Sequence, residues 1–173
     1  SRIDQKVLKR FAGQLRSLVD FGVRARLENL KPLPEALQQK IEHEGKEVVI
    51  ELATYTWFNR IIALCYMDQH GILPIDERMR GCRIGLFANL GDKNDCWLGG
   101  LELDKLSDTA IALDYSDLDD LSEEQKYEQI LIAIANRLAE VIPAIFGAST
   151  AELNDLIPCN FLGEGGITAV INA

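Results

Sequence analysis

The segment Glu47-Val-Val-Ile-Glu-Leu-Ala-Thr-Tyr-Thr-Trp-Phe-Asn-Arg-Ile-Ile-Ala-Leu-Cys-Tyr-Met67 limits the fold more than any other part of the chain. Val48, Val49, Leu52, Tyr55, Phe58, Ile61, Ile62, Cys65 and Tyr66 repeat at helical spacing over about five turns. Apolar residues fall on nearly every side, the pattern of a helix buried over most of its circumference. Gly71 suits a left-handed cap after the last turn, and Pro74 stands just beyond as a stop. A helix over about residues 46–70 is therefore expected at the centre of the fold, and the rest of the chain has to cover it.

Several stretches can supply that cover. Ile3, Val7, Leu8, Phe11, Leu15, Leu18 and Val19 recur at helical spacing, which predicts a long amphipathic helix from residue 2 to about 28. Its other face carries Lys6, Lys9, Arg10, Arg16, Arg24 and Arg26. Pro32 disfavours a helical Lys31, and a short helix with Leu37 and Ile41 is expected from about Pro34. Ser122-Glu-Glu-Gln125 has the form of a capping box, opening a helix expected to run through Ile130, Ile134 and Leu138 to Gly147. Ser149-Thr-Ala-Glu152 repeats the signal for a short helix that Pro158 breaks, and Ile167–Ala173 reads as an apolar helical piece with no stop.

Between about residues 75 and 120 the periodicity fails. Gly81, Gly85, Gly91, Gly99 and Gly100 punctuate short apolar pieces, of which Ile84–Ala88 fits a strand or one helical turn. The expected fold is mainly α, a helical bundle around the central buried helix, with an irregular segment at about 75–120 that has room for a short strand pair. Residues 1–173 are expected to form a single helical domain, and a chain that stops mid-pattern is expected to be the N-terminal part of a longer protein.

Composition narrows the function classes. The 173 residues are 47% hydrophobic and 26% charged, as in an ordinary globular domain. A chain of this length buries roughly 70% of its unfolded surface and needs no metal or disulfide for stability. No apolar run approaches the roughly 20 residues that span a bilayer, and no charged-then-apolar leader opens the chain. The expectation is a cytoplasmic protein with no membrane partner. Net charge is −9, but residues 1–46 carry ten Lys/Arg against six Asp/Glu, and residues 99–173 three against fourteen. Such a chain is a poor unaided DNA binder, although its basic front end suits one edge of a larger phosphate-binding surface.

No catalytic constellation is present. The two histidines, His43 and His70, lie in no partner motif, and G-x-S-x-G, H-E-x-x-H and P-loop patterns are absent. Cys65, Cys82, Cys96 and Cys159 form no C-x-x-C pair and read as small buried hydrophobes. Leu162-Gly-Glu-Gly-Gly166 reads as a turn, since no strand precedes it. The acidic run Asp114–Glu124 lacks the glycine of a calcium loop and instead suits the positive end of the helix that follows. Arg78-Met-Arg80-Gly-Cys-Arg83 is the one local basic cluster outside the first helix, in a stretch of the kind that supplies phosphate contacts. Trp57, Phe58 and Arg60 lie on a helix so apolar that core packing explains them better than base stacking does.

The central segment Ala53-Thr-Tyr-Thr-Trp-Phe-Asn-Arg60, continuing through Tyr66-Met-Asp68 to Gly71-Ile-Leu73, resembles the A-Y-T-W-F-N-R … R-Y-M-E … G-Y-L stretch of the bacteriophage-exclusion (BREX, PglX-like) adenine-specific DNA methyltransferases. Leu156-Ile-Pro-Cys-Asn-Phe-Leu162, followed by Ile167–Ile171, is similar to a second stretch of the same N-terminal helical region, L-L-P-D-N-L … S-I … L-V. Cys65 stands where the family has a basic residue and Cys159 where it has Asp, and residues 80–120 match nothing in it. The resemblance implies a much longer parent, of this family or a related restriction-modification branch, whose later domains bind S-adenosylmethionine and a flipped adenine. This chain has neither an Asn-Pro dipeptide nor the cofactor-binding glycine motif, so the resemblance transfers no catalytic, cofactor-binding or metal residue. It implies a non-catalytic scaffold beside the methyltransferase core, with the parent's other domains, DNA and defence-system proteins as partners. In that scaffold Trp57, Asn59 and Arg60 are structural. DNA contacts are expected from Arg78, Arg80, Arg83, Lys9 and Arg16. The rival expectation is a free-standing helical adaptor whose acidic C-terminal half faces a basic protein partner; an exposed apolar patch near Ile167–Ile171 would fit both readings.

Overall fold

A computed structural model describes residues 2–72, 87, 120–140 and 142–172, of which 2–4 and 148–151 are described by backbone alone. It is mainly α. The elements are α1 (Arg2–Asn29), α2 (Glu35–Glu44), α3 (Lys46–Gln69), α4 (Glu123–Ala139), α5 (Pro143–Phe146), a 3-10 stretch over Ala148–Leu156, and α6 (Ile167–Ile171), with no strand among the described residues. The expected irregular segment and its strand pair lie outside the described residues.

Local signals set the ends of these helices. Ser122 accepts from the Gln125 backbone N–H at 3.2 Å, and the Gln125 side chain accepts from the Ser122 N–H at 3.0 Å, closing the predicted capping box. α3 ends on Gly71 at φ 63°, where the Gly71 N–H donates to Asp68 O (3.1 Å) and the Ile72 N–H to Met67 O (2.9 Å). That pair of bonds needs the left-handed residue that glycine supplies without strain. The predicted helix to Gly147 is two pieces instead. Pro143 has no N–H to continue α4 and opens α5, and it holds Ile142 at φ −129°, ψ 70°.

The chain forms two compact units, and α3 passes from one to the other between Phe58 and Asn59. In the first, Leu15, Val19, Val23 and Leu27 on α1 are buried with Val49, Ile50, Ala53 and Trp57 on α3. Their spacing of three and four residues is what a buried helical stripe requires. The segment 156–168 completes this core with Leu156, Phe161 and Ile167. In the second unit Ile61, Leu64 and Met67 are buried with Ile130, Leu131, Ile134 and Leu138 of α4, Phe146 of α5 and Phe87.

Three expectations change. Val48, Tyr55, Ile62 and Tyr66 are exposed, so α3 is covered less completely than its all-round apolar pattern predicts. A periodic pattern gives the spacing of faces but not which faces find neighbours. Of the patch expected near Ile167–Ile171, Ile167 is 0% exposed and Thr168 is buried, while Ala169 is exposed and Val170 and Ile171 are half-buried. Finally, α3 is long and apolar enough to cross a membrane by length and composition, contrary to the expectation that no run is. Half of its most apolar window is buried within the fold, and Thr54, Thr56, Arg60 and Asp68 lie among its buried side chains.

Candidate functional site

The predicted basic face of α1 resolves into two groups with different work. Arg24 and Arg26, near the C-terminal end, hold the structure together. The Arg24 Nε donates to Asp20 at 2.9 Å, and Nη1 and Nη2 donate to the two carboxylate oxygens of Glu47 at 3.0 and 2.9 Å. Bonding to Glu47, and then to Asp20, raises the Arg24 pKa above its ordinary value; the same bond to Arg24 holds Glu47 below the usual carboxylate range. The Arg26 Nε donates to the backbone oxygen of Ile157 at 3.0 Å. Both are thereby removed from the set of cations expected to face a polyanion.

Lys6, Lys9, Arg10 and Arg16 form the second group, and all four are exposed. Lys9 and Arg16, seven residues apart, fall on one face of α1 about two turns from each other. Arg78, Arg80 and Arg83 lie outside the described residues, as do Cys82 and Cys96. Cys65 and Cys159 are half-buried. No group of His, Cys, Asp and Glu suited to a metal ion occurs among the described residues.

The two stretches that carry the resemblance are packing elements. Trp57 is 0% exposed, and its indole N–H donates to Leu153 O at 3.0 Å. Asn160 Nδ2 donates to Leu18 O at 2.9 Å, and Asn160 O accepts from the Ile167 N–H at 2.9 Å. With Arg26 on Ile157 O, the bonds from Trp57 to Leu153 O and from Asn160 to Leu18 O tie the segment 153–167 to α1 and α3. Gly22 of α1 lies where this segment crosses: a Cβ there would meet the Asn160 side chain and stand 2.8 Å from Pro158 Cβ. In the other unit Arg60 is 1% exposed, its guanidinium carbon 5.9 Å from the centroid of the Phe146 ring. Burial pushes its pKa down to about 10.

One feature went unread in the sequence. Between α1 and the first half of α3 is an open groove of about 380 Å³ lined by Gly13, Arg16, Ser17, Asp20, Arg24, Glu51 and Thr54. The α1 positions share one face at steps of three and four residues, and Glu51 and Thr54 are one turn apart on α3. Each residue separately resembles solvated helix surface, and only the pairing of the two helices brings them together.

Among curated proteins the chain is similar to the adenine-specific methyltransferase BrxX of Escherichia coli O9:H4 (strain HS), at 28% identity over 134 residues. The similarity takes in 75% of this chain and 10% of that protein, so the chain spans about a tenth of the length of the curated relative it matches. It links the chain to adenine-specific methyltransferases. No protein-family model matches the chain, and no solved structure matches it.

Proposed function

We propose that this chain is a non-catalytic scaffold region of an S-adenosylmethionine-dependent, adenine-specific DNA methyltransferase that acts in phage defence or restriction-modification. The observation that carries the reading is the similarity to a limited part, about a tenth, of BrxX. The burial of Trp57 and the bonds that tie Leu153, Ile157 and Asn160 into the fold support it, because they make the resembling stretches packing elements. Buried packing residues preserve a shape and leave chemistry to other parts of the protein. S-adenosylmethionine and the target adenine then belong to the parent's later domains, and the parent works in the cytoplasm.

On this reading the exposed Lys6, Lys9, Arg10 and Arg16 form a DNA-facing edge. Together they attract a polyanion in a way that does not depend on sequence. Arg78, Arg80 and Arg83 extend the same role. Defence-system proteins are further partners.

The test begins with the size of the native polypeptide in its source cell, by immunoblot with an antibody raised against this chain. The expected result is a band several times heavier than 19.3 kDa, together with loss of N6-methyladenine from genomic DNA when its gene is deleted. A band at 19.3 kDa would refute the scaffold reading and put a free-standing adaptor in its place.

A further inference from the structure

The exposed apolar side chains of α3 belong to one seam. Val48, Leu52, Tyr55, Asn59, Ile62 and Tyr66 follow one another at steps of four and three residues. That is the spacing of the a and d positions of a coiled coil. α3 is a single helix from Lys46 to Gln69, so the six share one face over about five turns. Val48, Tyr55, Ile62 and Tyr66 are exposed, Tyr55 at 57% and Tyr66 at 60%, while Leu52 and Asn59 are half-buried. Apolar side chains scattered singly over a surface are ordinary, but a continuous row at coiled-coil spacing calls for a partner.

The chemistry of the seam narrows what covers it. None of its six residues is charged, and between Val48 and Tyr66 the charged residues are Glu51, at its border, and Arg60, buried on another side of the helix. A polyanion or a strongly charged protein finds no counter-charge here, whereas an uncharged helix with the same spacing fits. A second α3 is such a helix. Laid antiparallel, with a twofold axis at the level of Trp57, two copies set Val48 opposite Tyr66, Leu52 opposite Ile62 and Tyr55 opposite Asn59. Each tyrosine then meets a smaller residue, and the two helix dipoles oppose one another. Parallel alignment would instead set tyrosine on tyrosine at both 55 and 66 and align the dipoles. The Asn59 side chain makes no hydrogen bond among the described residues, and its carboxamide pairs with the Tyr55 hydroxyl of the other copy. A polar residue at one such position fixes register, at some cost in stability.

We propose that α3 is a homodimer interface, at which two copies of this chain pair antiparallel along the Val48–Tyr66 seam. A two-helix contact of five turns lies near the lower limit for specific interfaces, about 1,000 Å2 in total, so the dimer is weak, with Kd of about 10–100 µM. The seam is separate from the DNA-facing cations of α1 and does not depend on the parent's being a methyltransferase.

The test is sedimentation equilibrium of the 173-residue chain over about 1–500 µM, where species of 19.3 kDa and twice that mass should interconvert. Tyr55→Glu puts a charge into a central layer and should weaken the dimer about tenfold or more. Val7→Glu, at a similarly exposed apolar position of α1, should leave it unchanged. Both variants should keep the helical circular dichroism of the original chain, because both side chains are exposed. Orientation is read from a charge pair. Val48→Glu and Tyr66→Lys should each weaken the dimer about tenfold, and the double variant should recover most of the loss. It sets Glu against Lys in an antiparallel pair but like against like in a parallel one. A monomer at every concentration would overturn the proposal and leave the seam to a helix of another polypeptide. Assembly beyond a dimer, a dimer indifferent to Tyr55→Glu, equal weakening by Val7→Glu, or a double variant weaker than either single would each overturn it as well.

Discussion

Two glycines of α1 provide a sharp test of how the 158–160 segment is seated. Glycine to alanine inside a helix ordinarily stabilises it by about 0.5–1 kcal/mol, because alanine loses less backbone freedom on folding. At Gly13 the new methyl group meets nothing within 4 Å, so the full gain is expected. At Gly22 it would run into the Asn160 side chain and stand 2.8 Å from Pro158 Cβ. Overpacking of that kind costs about 1–3 kcal/mol. Displacing Asn160 also loses its bond to Leu18 O, worth about 1 kcal/mol. Set against the helix gain, the net for Gly22→Ala is a loss of about 1–3 kcal/mol. For a chain of this size each kcal/mol moves Tm by about 2–4 °C. Thermal unfolding followed by circular dichroism should therefore show Tm raised by about 1–4 °C in Gly13→Ala and lowered by about 2–12 °C in Gly22→Ala. The same substitution in the same helix thus has opposite signs. Adding Asn160→Ala should reduce the cost of Gly22→Ala by at least about 0.5 kcal/mol, since the two side chains compete for one space. A Gly22→Ala protein as stable as Gly13→Ala would refute the close approach of this segment to α1.

Trp57→Phe leaves the buried Leu153 carbonyl without its donor and removes part of a fully buried ring, so urea unfolding should show a loss of about 2–4 kcal/mol; a loss under about 0.5 kcal/mol would falsify the role given to the indole N–H. Glu47 has its folded pKa held below the unfolded value by Arg24, so its contribution is present above about pH 4.5 and fades as pH falls through the lowered folded value. Glu47→Gln should accordingly flatten the acid limb of a stability-against-pH curve and leave the curve parallel to wild type above pH ~6; an unchanged acid limb would show that the pair adds nothing. On the proposed reading, Lys9→Ala with Arg16→Ala in the full-length protein should weaken binding evenly across DNA sequences and reduce the slope of log K against log salt by about 0.9 for each phosphate no longer neutralised. An unaltered slope in fluorescence anisotropy would remove this edge of α1 from the DNA interface.

Much of this protein was settled by signals that act within a turn or two. The capping box at Ser122 and Gln125, the cap at Gly71 and the stripe Leu15–Val19–Val23 each depend on residues three to five positions apart, so the order of residues alone carries them. The break at Pro143 belongs to the same class, although the apolar period through Ile142 masked it. That the chain is mainly α, with the 47–67 segment at the heart of its cores, follows from such short-range order. What only the tertiary structure decided is where distant stretches meet. The cations from Lys6 to Arg26 look equivalent along α1, yet Arg24 is claimed by Glu47 and Arg26 by a carbonyl 131 residues away. Ile167 reads as an open apolar end and is buried instead, and Thr54 reads as one more residue of an apolar helix and lines a polar groove. Partners of this kind are set by the path of the chain through space, because burial and desolvation depend on everything within a few ångströms, whatever its distance in sequence.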